Sequence, residues 1–259
     1  MKTNFIALMS DFGLFDPFVG MMKSVIYSKN QKVKIIDITH FIPPQDIKTA
    51  AFYLMVSIGY LPKNSIVICI VDPDVGSGRS ILWIKTSSHQ IITPDNGTAS
   101  WVEEVERIEE ARAITNPELF LEKISSTFHG RDIMAPAAAL IAKGFEESKI
   151  GPHFNEWKKI PFPYPQRIGN RIIGEIIAID RFGNAITNIK KEYVNPLSVF
   201  NIKNIVIEGL TPTYSFAVDN KEIAVIGSYD FVELSIKNSN FAETHSIKAG
   251  EKVEVIIKI

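Results

Sequence analysis

The sequence predicts an α/β protein, with an N-terminal, mostly parallel sheet flanked by helices and a smaller, antiparallel β-rich domain after it. Two observations predict this fold class. Strand-like and helix-like segments alternate as far as residue 143, and short apolar runs separated by turn residues fill the chain from residue 171 onwards.

The alternating segments define the first domain. Strands are expected at residues 4–9, 33–38 and 65–71, with helices between them at residues 17–28 and 46–60. Such alternation implies crossover connections, and therefore parallel strands. Residues 66–71 are apolar without interruption, as a central strand covered on both faces should be. A strand at residues 90–93 and a helix at residues 132–143 complete the prediction.

The second domain is predicted from a change in composition after Gly144. Residues 151–166 contain four prolines and predict an extended connector. Beyond it, the pattern is that of a small antiparallel barrel or sandwich. We place the boundary near residues 160–170 and divide the chain into residues 1–165 and 166–259. The predicted strands of the second domain are residues 171–179, 202–208, 222–226, 231–236 and 252–259.

Composition limits the class of protein. Twenty-eight basic and twenty-nine acidic residues leave a formal charge of −1, which gives no electrostatic footprint for DNA or RNA. Cys69 is the only cysteine and lies in an apolar run, so we expect a small buried side chain without a disulfide. Asp11 interrupts the first apolar run before a signal-peptide core forms, and residues 51–61 are too few to span a bilayer.

Carboxylates lie at the ends of four predicted strands of the first domain: Asp11, Asp37, Asp72 and Asp95. In open parallel sheets, ligands bind outside the carboxyl ends of the strands. A helix cap or a turn would explain any one of these residues alone. Four of them at one edge of a sheet predict a functional site.

Two familiar motifs are excluded. The glycine-containing loop at residues 76–79 has neither the Gly-Lys-Ser/Thr of a P-loop nor the third glycine of a dinucleotide fingerprint. The Asp-Phe-Gly triplet at residues 11–13 matches the metal-binding triplet of protein kinases, but no glycine-rich loop precedes it. A metal site stays a minor option, because several acids and two histidines could converge, although no His-x-x-x-His or Cys-x-x-Cys pair occurs.

Other polar residues have ordinary structural explanations when taken singly. A close approach permitted by Gly130 would account for His129. A hairpin turn explains the glycine and Asn184 in residues 180–184, but explains Asp180 less well. Turns are also the ordinary explanation of residues 228–229 and 238–240.

Taken in order, these segments resemble one family, the S-adenosylmethionine hydroxide adenosyltransferases, which are also called S-adenosylmethionine hydrolases and are related to fluorinases and chlorinases. Several motifs in the same order are more specific than any one of them. The matching motifs are SDFG (10–13), DPFVGMMK (16–23), DITH (37–40) with PPQD (43–46), VDPDVGSGR (71–79), PDNG (94–97), FHGRD (128–132) with APAA (135–138), and DRFGN (180–184).

The resemblance implies an N-terminal α/β domain joined to a C-terminal β-barrel, in a homotrimer whose active sites lie between neighbouring subunits. It implies that Asp72, Arg79 and His129 hold the attacking water or hydroxide. The implied reaction is displacement at the ribose C5′ of S-adenosylmethionine, which would be the substrate, so neither a cofactor nor a metal is expected. The sequence leaves open whether Asp72 or His129 is the general base.

The resemblance also implies the substrate-binding residues. Asp11 would bind the ribose hydroxyls and Asp180 the methionine ammonium. Adenine would face Asn184 and the segment that includes Asn238 and Ser239, and the methionine carboxylate would face Ser228 and Tyr229. This chain departs from the family pattern at Asp230, which replaces a glycine. Gln45 stands where the related halogenases carry a tryptophan against the ribose, and this difference favours water over halide as the nucleophile.

Two other functions stay open at this stage. A halogenase of the same superfamily would use chloride or fluoride, but the charge of Asp72 would repel a halide. A sensor that binds an adenosyl ligand without turnover would not require the set Asp72, Arg79 and His129. A cytoplasmic location is expected, because S-adenosylmethionine is made there and no secretory segment is recognisable.

Overall fold

The computed structural model describes residues 3–258. The chain divides between Pro161 and Phe162 into two compact units. This division lies in the same proline-rich segment as the boundary predicted from the sequence. Among the described residues, no helix has the length and apolar character needed to cross a bilayer.

The first unit is a six-stranded sheet with strand order β2-β1-β3-β5-β4-β6. Strands β1, β2, β3 and β5 are parallel, whereas β4 runs antiparallel to both of its neighbours. The predicted mostly parallel sheet with helices is therefore confirmed. The elements are β1 (Phe5–Ser10), α1 (Phe18–Lys29), β2 (Lys34–Thr39), α2 (Ile47–Ile58), β3 (Ile66–Ile70), β4 (Ile81–Thr86), β5 (Gln90–Pro94), β6 (Ile108–Ala113) and α3 (Ala135–Lys143).

Helices cover both faces of this sheet. Ile66, Ile68 and Ile70 of β3 point into the core that contains α1 and α3, while Val67 and Cys69 point into the core that contains α2. Because successive side chains of a strand point to opposite faces, a strand covered on both sides must be apolar throughout. Cys69 is fully buried, as expected, and burial raises the pKa of its thiol, with a further contribution from the charge of Asp11.

The second unit is a nearly closed antiparallel barrel with strand order β11-β10-β14-β8-β9-β13-β12, and β7 pairs with β8. Leu210, just after β11, pairs with Ala224 of β12 and so brings the two ends of the order together. The barrel, and not the sandwich, is therefore confirmed. Its strands are β7 (Gln166–Ile168), β8 (Arg171–Ile179), β9 (Ala185–Lys190), β10 (Val199–Ile202), β11 (Ile205–Glu208), β12 (Glu222–Ile226), β13 (Phe231–Ile236) and β14 (Lys252–Ile256).

Two strand predictions in this unit need correction. The single strand expected at residues 202–208 is two strands, because the chain turns at Lys203, whose φ is +51°. The strand expected at residues 252–259 ends at Ile256, and Ile259 lies outside the described residues.

Candidate active site

The carboxyl ends of β1, β2, β3 and β5 lie at one edge of the first unit's sheet, because these four strands are parallel. We call this the carboxyl edge. Asp11 and Asp95 follow the strand ends directly and Asp72 lies two residues beyond the end of β3, as predicted from the sequence. Asp37 is different, because it lies within β2 and pairs with Lys23 of α1 at 2.6 Å.

A bidentate ion pair forms in the loop after β3. The guanidinium of Arg79 donates from Nε to Asp72 Oδ1 at 2.6 Å and from Nη2 to Asp72 Oδ2. The two side chains are only 9% and 6% exposed. Burial lowers the pKa of Arg79, and the charge of Asp95 opposes this shift. A guanidinium stays protonated in proteins, so Arg79 contributes a fixed positive charge beside the carboxylate of Asp72, near the end of a buried strand.

His129 lies close enough to this pair for the charge of Arg79 to act on it. Burial lowers the pKa of His129, Arg79 lowers it further, and Asp132 opposes both. Its Nδ1 atom is buried and has no hydrogen-bond partner among the described residues. The imidazole is therefore neutral near pH 7 and keeps a nitrogen available for a ligand or a proton.

Two glycines permit the close approach of these segments. Gly130 lies against Ile70 at the end of β3, where a Cβ atom would meet the Ile70 side chain at 2.8 Å. Gly76 has a φ of +83°, and a Cβ there would overlap the carbonyl oxygen of Ser126. The loop that carries Arg79 is thus held against the loop that precedes His129.

This contact gives a test of stability. Replacing Gly76 with Ala is expected to lower the free energy of unfolding by about 1–3 kcal/mol, because the new side chain combines a left-handed backbone with an overlap of backbone atoms. Denaturant unfolding measures the change. Gly78 in the same loop has open space around it and serves as the matched control, for which Gly78→Ala should change little. Equal losses in the two variants would contradict the close approach at Gly76.

The helix after His129 begins with a π-helical turn, Gly130–Met134, which continues into α3. Pro136 has no N–H to donate to the carbonyl of Asp132, four residues earlier. The N–H of Leu121 donates to that carbonyl instead, at 2.9 Å. Such single π turns are frequent at functional sites, and here a proline accounts for the local geometry.

Asp132 was not named as a site residue from the sequence, yet it anchors the loop before His129. Its carboxylate is fully buried, pairs with Arg131 Nε at 2.6 Å and accepts the N–H of Ser125 at 2.7 Å. Burial opposes the ionisation of Asp132, but the hydrogen bonds from Arg131 and Ser125 dominate and lower its pKa. Arg131 also lies 5.0 Å from the ring centroid of Phe128.

Asp11 accepts the N–H of Gln45 at 2.9 Å, and Gln45 has a left-handed backbone with φ +66°. Next to Asp11, the buried Ser10 hydroxyl lies 2.8 Å from His40 Nδ1, and His40 Nε2 lies 3.1 Å from Asp37 Oδ1. This chain of polar contacts ties the end of β1 to the end of β2. The sequence patterns placed these residues in motifs but did not predict that they contact one another.

An aromatic cluster also joins the carboxyl edge to the His129 loop. Phe12, Phe18 and Phe128 lie with ring centroids between 5.3 and 5.8 Å apart. These tilted and edge-on contacts are the favoured arrangements of aromatic pairs. The residues next to Asp11 and His129 are therefore packed together.

In the second unit, Asp180 organises the turn between β8 and β9. Its carboxylate accepts the N–H groups of Phe182 and Asn184 at 2.9 Å each, and the Asn184 side-chain amide at 2.8 Å. Gly183 has a φ of +83°, and a Cβ there would overlap the side chain of Asn240. The hairpin turn considered from the sequence is confirmed, and a carboxylate has about four acceptor positions, so a further donor can bind Asp180.

Ser228 and Tyr229 lie in the tight turn between β12 and β13, which the hydrogen bond from Gly227 N–H to the Phe231 carbonyl closes at 2.8 Å. Asp230 has a φ of +63°, so it adopts the conformation for which glycine is favoured. Its carboxylate pairs with Lys191 at 2.9 Å. The departure from the family glycine therefore keeps a glycine-like backbone.

Asn238 and Ser239 lie in a second turn after β13, in which Asn238 has a φ of +62° and both side chains are exposed. Within residues 3–258, no three His, Cys, Asp or Glu side chains are grouped as a metal ion requires. Of the predicted site residues, Asp11, Asp72, Arg79 and His129 belong to the first unit, whereas Asp180, Asn184, Ser228, Tyr229, Asn238 and Ser239 belong to the second.

Comparison with known protein families gives a match over both units. Residues 6–151 match the SAM hydroxide adenosyltransferase N-terminal domain, and residues 174–254 match the C-terminal domain. The chain belongs to the SAM hydroxide adenosyltransferase family. The catalytic set predicted from the sequence lies inside the first matched region, and the predicted second-unit residues lie inside the second.

Individual relatives agree with this family. The chain is 33% identical to "(R)-S-adenosyl-L-methionine hydrolase" of Methanocaldococcus jannaschii, over 97% of this chain and 95% of the relative. It is 26% identical to "Fluorinase" of Nocardia brasiliensis, over 96% of each chain. The crystal structure of an uncharacterized conserved protein from Thermotoga maritima is 27% identical, with a TM-score of 0.91 over 97% of this chain and 99% of that chain.

Proposed function

We propose that this protein hydrolyses S-adenosyl-L-methionine to adenosine and L-methionine by attack of water at the ribose C5′. The observation that carries the proposal is the buried pair of Asp72 and Arg79 beside a neutral His129 with an unpartnered nitrogen. The relative named as a hydrolase supports it. Hydrolysis needs an oriented, partly desolvated water and a nearby proton acceptor, and this set supplies both.

In the reaction, the water oxygen forms a bond to C5′ while the C5′–S bond breaks and its electron pair stays on sulfur. The leaving group is neutral methionine, so no metal or other cofactor is required to stabilise negative charge. Arg79 stabilises hydroxide character on the water. His129 accepts the proton, because its Nδ1 has no hydrogen-bond partner among the described residues, whereas the guanidinium charge of Arg79 disfavours protonation of Asp72.

For the substrate, we infer that Asp11 binds the ribose hydroxyls and Asp180 binds the methionine ammonium. Asn184, Asn238 and Ser239 would contact adenine, and the remaining turn would contact the methionine carboxylate through Ser228 and Tyr229. Carboxylates suit hydroxyl and ammonium donors, and amides suit the mixed donors and acceptors of adenine.

We further infer a homotrimer with active sites between subunits. An exposed apolar patch on the first unit supports an interface, because Leu14, Phe15, Phe18 and Met21 are 59%, 101%, 40% and 41% exposed. Light scattering of the purified protein should give three times the mass of the chain, and a monomer would contradict the inference. A cytoplasmic location follows from the substrate, which is made there.

A halogenase is the second candidate, since a fluorinase is among the relatives. The carboxylate of Asp72 in a site with little exposure disfavours a halide there. Gln45 also stands in place of the halogenases' tryptophan. Water is therefore the better supported nucleophile.

The deciding experiment uses the purified protein with S-adenosyl-L-methionine in oxygen-18 water, with and without chloride or fluoride. The two sulfonium epimers are supplied separately, because the name of the relative specifies (R). Adenosine that carries one oxygen-18 atom, detected by mass spectrometry, is the expected result. A halogenated nucleoside would move the protein to the halogenases, and bound but unchanged substrate would identify a sensor.

A further inference from the structure

Glu233 is a buried carboxyl in the middle of β13, and none of the roles described above involves it. The residue is only 8% exposed. Oε2 accepts a hydrogen bond from the Tyr214 hydroxyl at 3.0 Å. The neighbours in the strand register are apolar, Val225 on β12 and Ile186 on β9.

The other oxygen of Glu233 lies against the substrate-binding turn proposed above. A Cβ atom on Gly227 would overlap Glu233 Oε1, so this carboxyl occupies the space directly beside Gly227. Gly227 immediately precedes Ser228 and Tyr229. Asp180 is close enough that its charge opposes the ionisation of both Glu233 and Tyr214.

Glu233 differs from the paired carboxylates of the barrel strands in having no basic partner among the described residues. Glu175 pairs with Lys252 at 2.6 Å and Glu254 pairs with Arg171 at 3.2 Å. Among residues 3–258, no ion pair involves Glu233 or Asp180. Burying a carboxyl without a cation is unfavourable, and such groups are concentrated at functional sites.

We propose that Glu233 is a second anionic group of the substrate site, beside Asp180, and that it recognises the cationic methionine part of S-adenosyl-L-methionine. This inference rests on the proposed function. The substrate carries two positive centres, the ammonium and the sulfonium, whereas methionine and thioether analogues carry a neutral sulfur. A second carboxylate therefore favours the sulfonium substrate over the product and over S-adenosylhomocysteine.

Binding should be linked to protonation of Glu233. Burial raises the pKa of its carboxyl, Asp180 raises it further, and the hydrogen bond from Tyr214 opposes the shift. Asp180 and Tyr214 are the titratable groups that act on this carboxyl. The residues paired with Glu233 on β9 and β12, Ile186 and Val225, carry no titratable group. A bound cation favours the ionised form, so binding releases a proton and weakens as pH falls through the raised pKa.

The test is the steady-state kinetics of Glu233→Gln and of the wild-type protein, from pH 8 down to the lowest pH at which both stay folded. Glutamine keeps the shape of a protonated carboxyl and still accepts from Tyr214. We expect KM for S-adenosyl-L-methionine to rise about tenfold above that of the wild-type protein at pH 8, and kcat to change less than about threefold. KM of the wild-type protein should rise as pH falls, whereas KM of Glu233→Gln should stay constant.

Two controls separate this role from a general defect. Glu254→Gln removes a paired carboxylate from the same barrel and should leave KM unchanged. Inhibition by adenosine, which lacks the cationic part, should be equal in the wild-type protein and Glu233→Gln. If Glu233→Gln does not fold, Tyr214→Phe replaces it. This variant loses the hydrogen bond that opposes the raised pKa of Glu233, so its KM should begin to rise at a higher pH than KM of the wild-type protein.

The outcomes also separate the inference from the function on which it rests. A wild-type protein that neither binds nor hydrolyses S-adenosyl-L-methionine would overturn both. Normal hydrolysis with an unchanged KM and an unchanged pH dependence in Glu233→Gln would overturn only the role of Glu233. An equal rise in the inhibition constant of adenosine would overturn it as well, because recognition would then not depend on the cation.

Discussion

Arg79→Ala is expected to lower kcat by about 100- to 1000-fold while the dissociation constant of S-adenosyl-L-methionine changes about threefold or less. Arg79 contributes a fixed charge beside the nucleophile, and this charge matters most when hydroxide character develops in the transition state. Single-turnover kinetics gives the rate of the chemical step, and calorimetry gives the affinity. Equal losses of rate and affinity would contradict the proposed role.

Loss of stability must be separated from loss of catalysis in this variant. Removing Arg79 leaves the carboxylate of Asp72 buried and unpaired, and such a change costs about 3–5 kcal/mol of stability. The double variant Asp72→Asn with Arg79→Ala removes the stranded charge. It should recover stability and stay inactive. Arg107→Ala removes an exposed arginine of the same unit and should behave as the wild-type protein.

The strands that sequence patterns predicted best are those with one environment along their whole length. β3 is buried throughout and reads as a continuous apolar run. β6, by contrast, has the sequence IEEARA at the edge of the sheet. Its glutamates and alanines favour helix in isolation, and only its pairing with β4 makes it a strand. β4 was not predicted from the sequence, although its apolar run ILWI is a pattern that indicates a strand.

The same distinction applies to the candidate site. Asp72 and Arg79 are seven positions apart in one loop, so a contact between them could be expected from the sequence. The contact between Ser10 and His40 spans thirty positions, and it exists because β1 and β2 are parallel neighbours. The role proposed for Glu233 could not be predicted from the sequence either. A glutamate within an apolar strand does not reveal whether its carboxyl has a cationic partner in the fold.

His129→Gln is the second variant with a large expected effect, a fall in kcat of about 100-fold or more, because general-base catalysis contributes about 10²–10⁴. Glutamine retains hydrogen bonding to water but cannot accept a proton near neutral pH. The measurement is kcat as a function of pH. His153→Gln removes an exposed histidine of the same unit and should leave the profile unchanged.

The pH profile identifies the proton acceptor. Burial and the charge of Arg79 lower the pKa of His129 from its usual value of 6.5, so the neutral base persists below that pH. Turnover of the wild-type protein should therefore stay constant as pH falls to 6.5 and decline only below it. The residual activity of His129→Gln should lack this decline. If the decline persists unchanged in His129→Gln, a different group accepts the proton, and Asp72 becomes the base despite its two hydrogen bonds to Arg79.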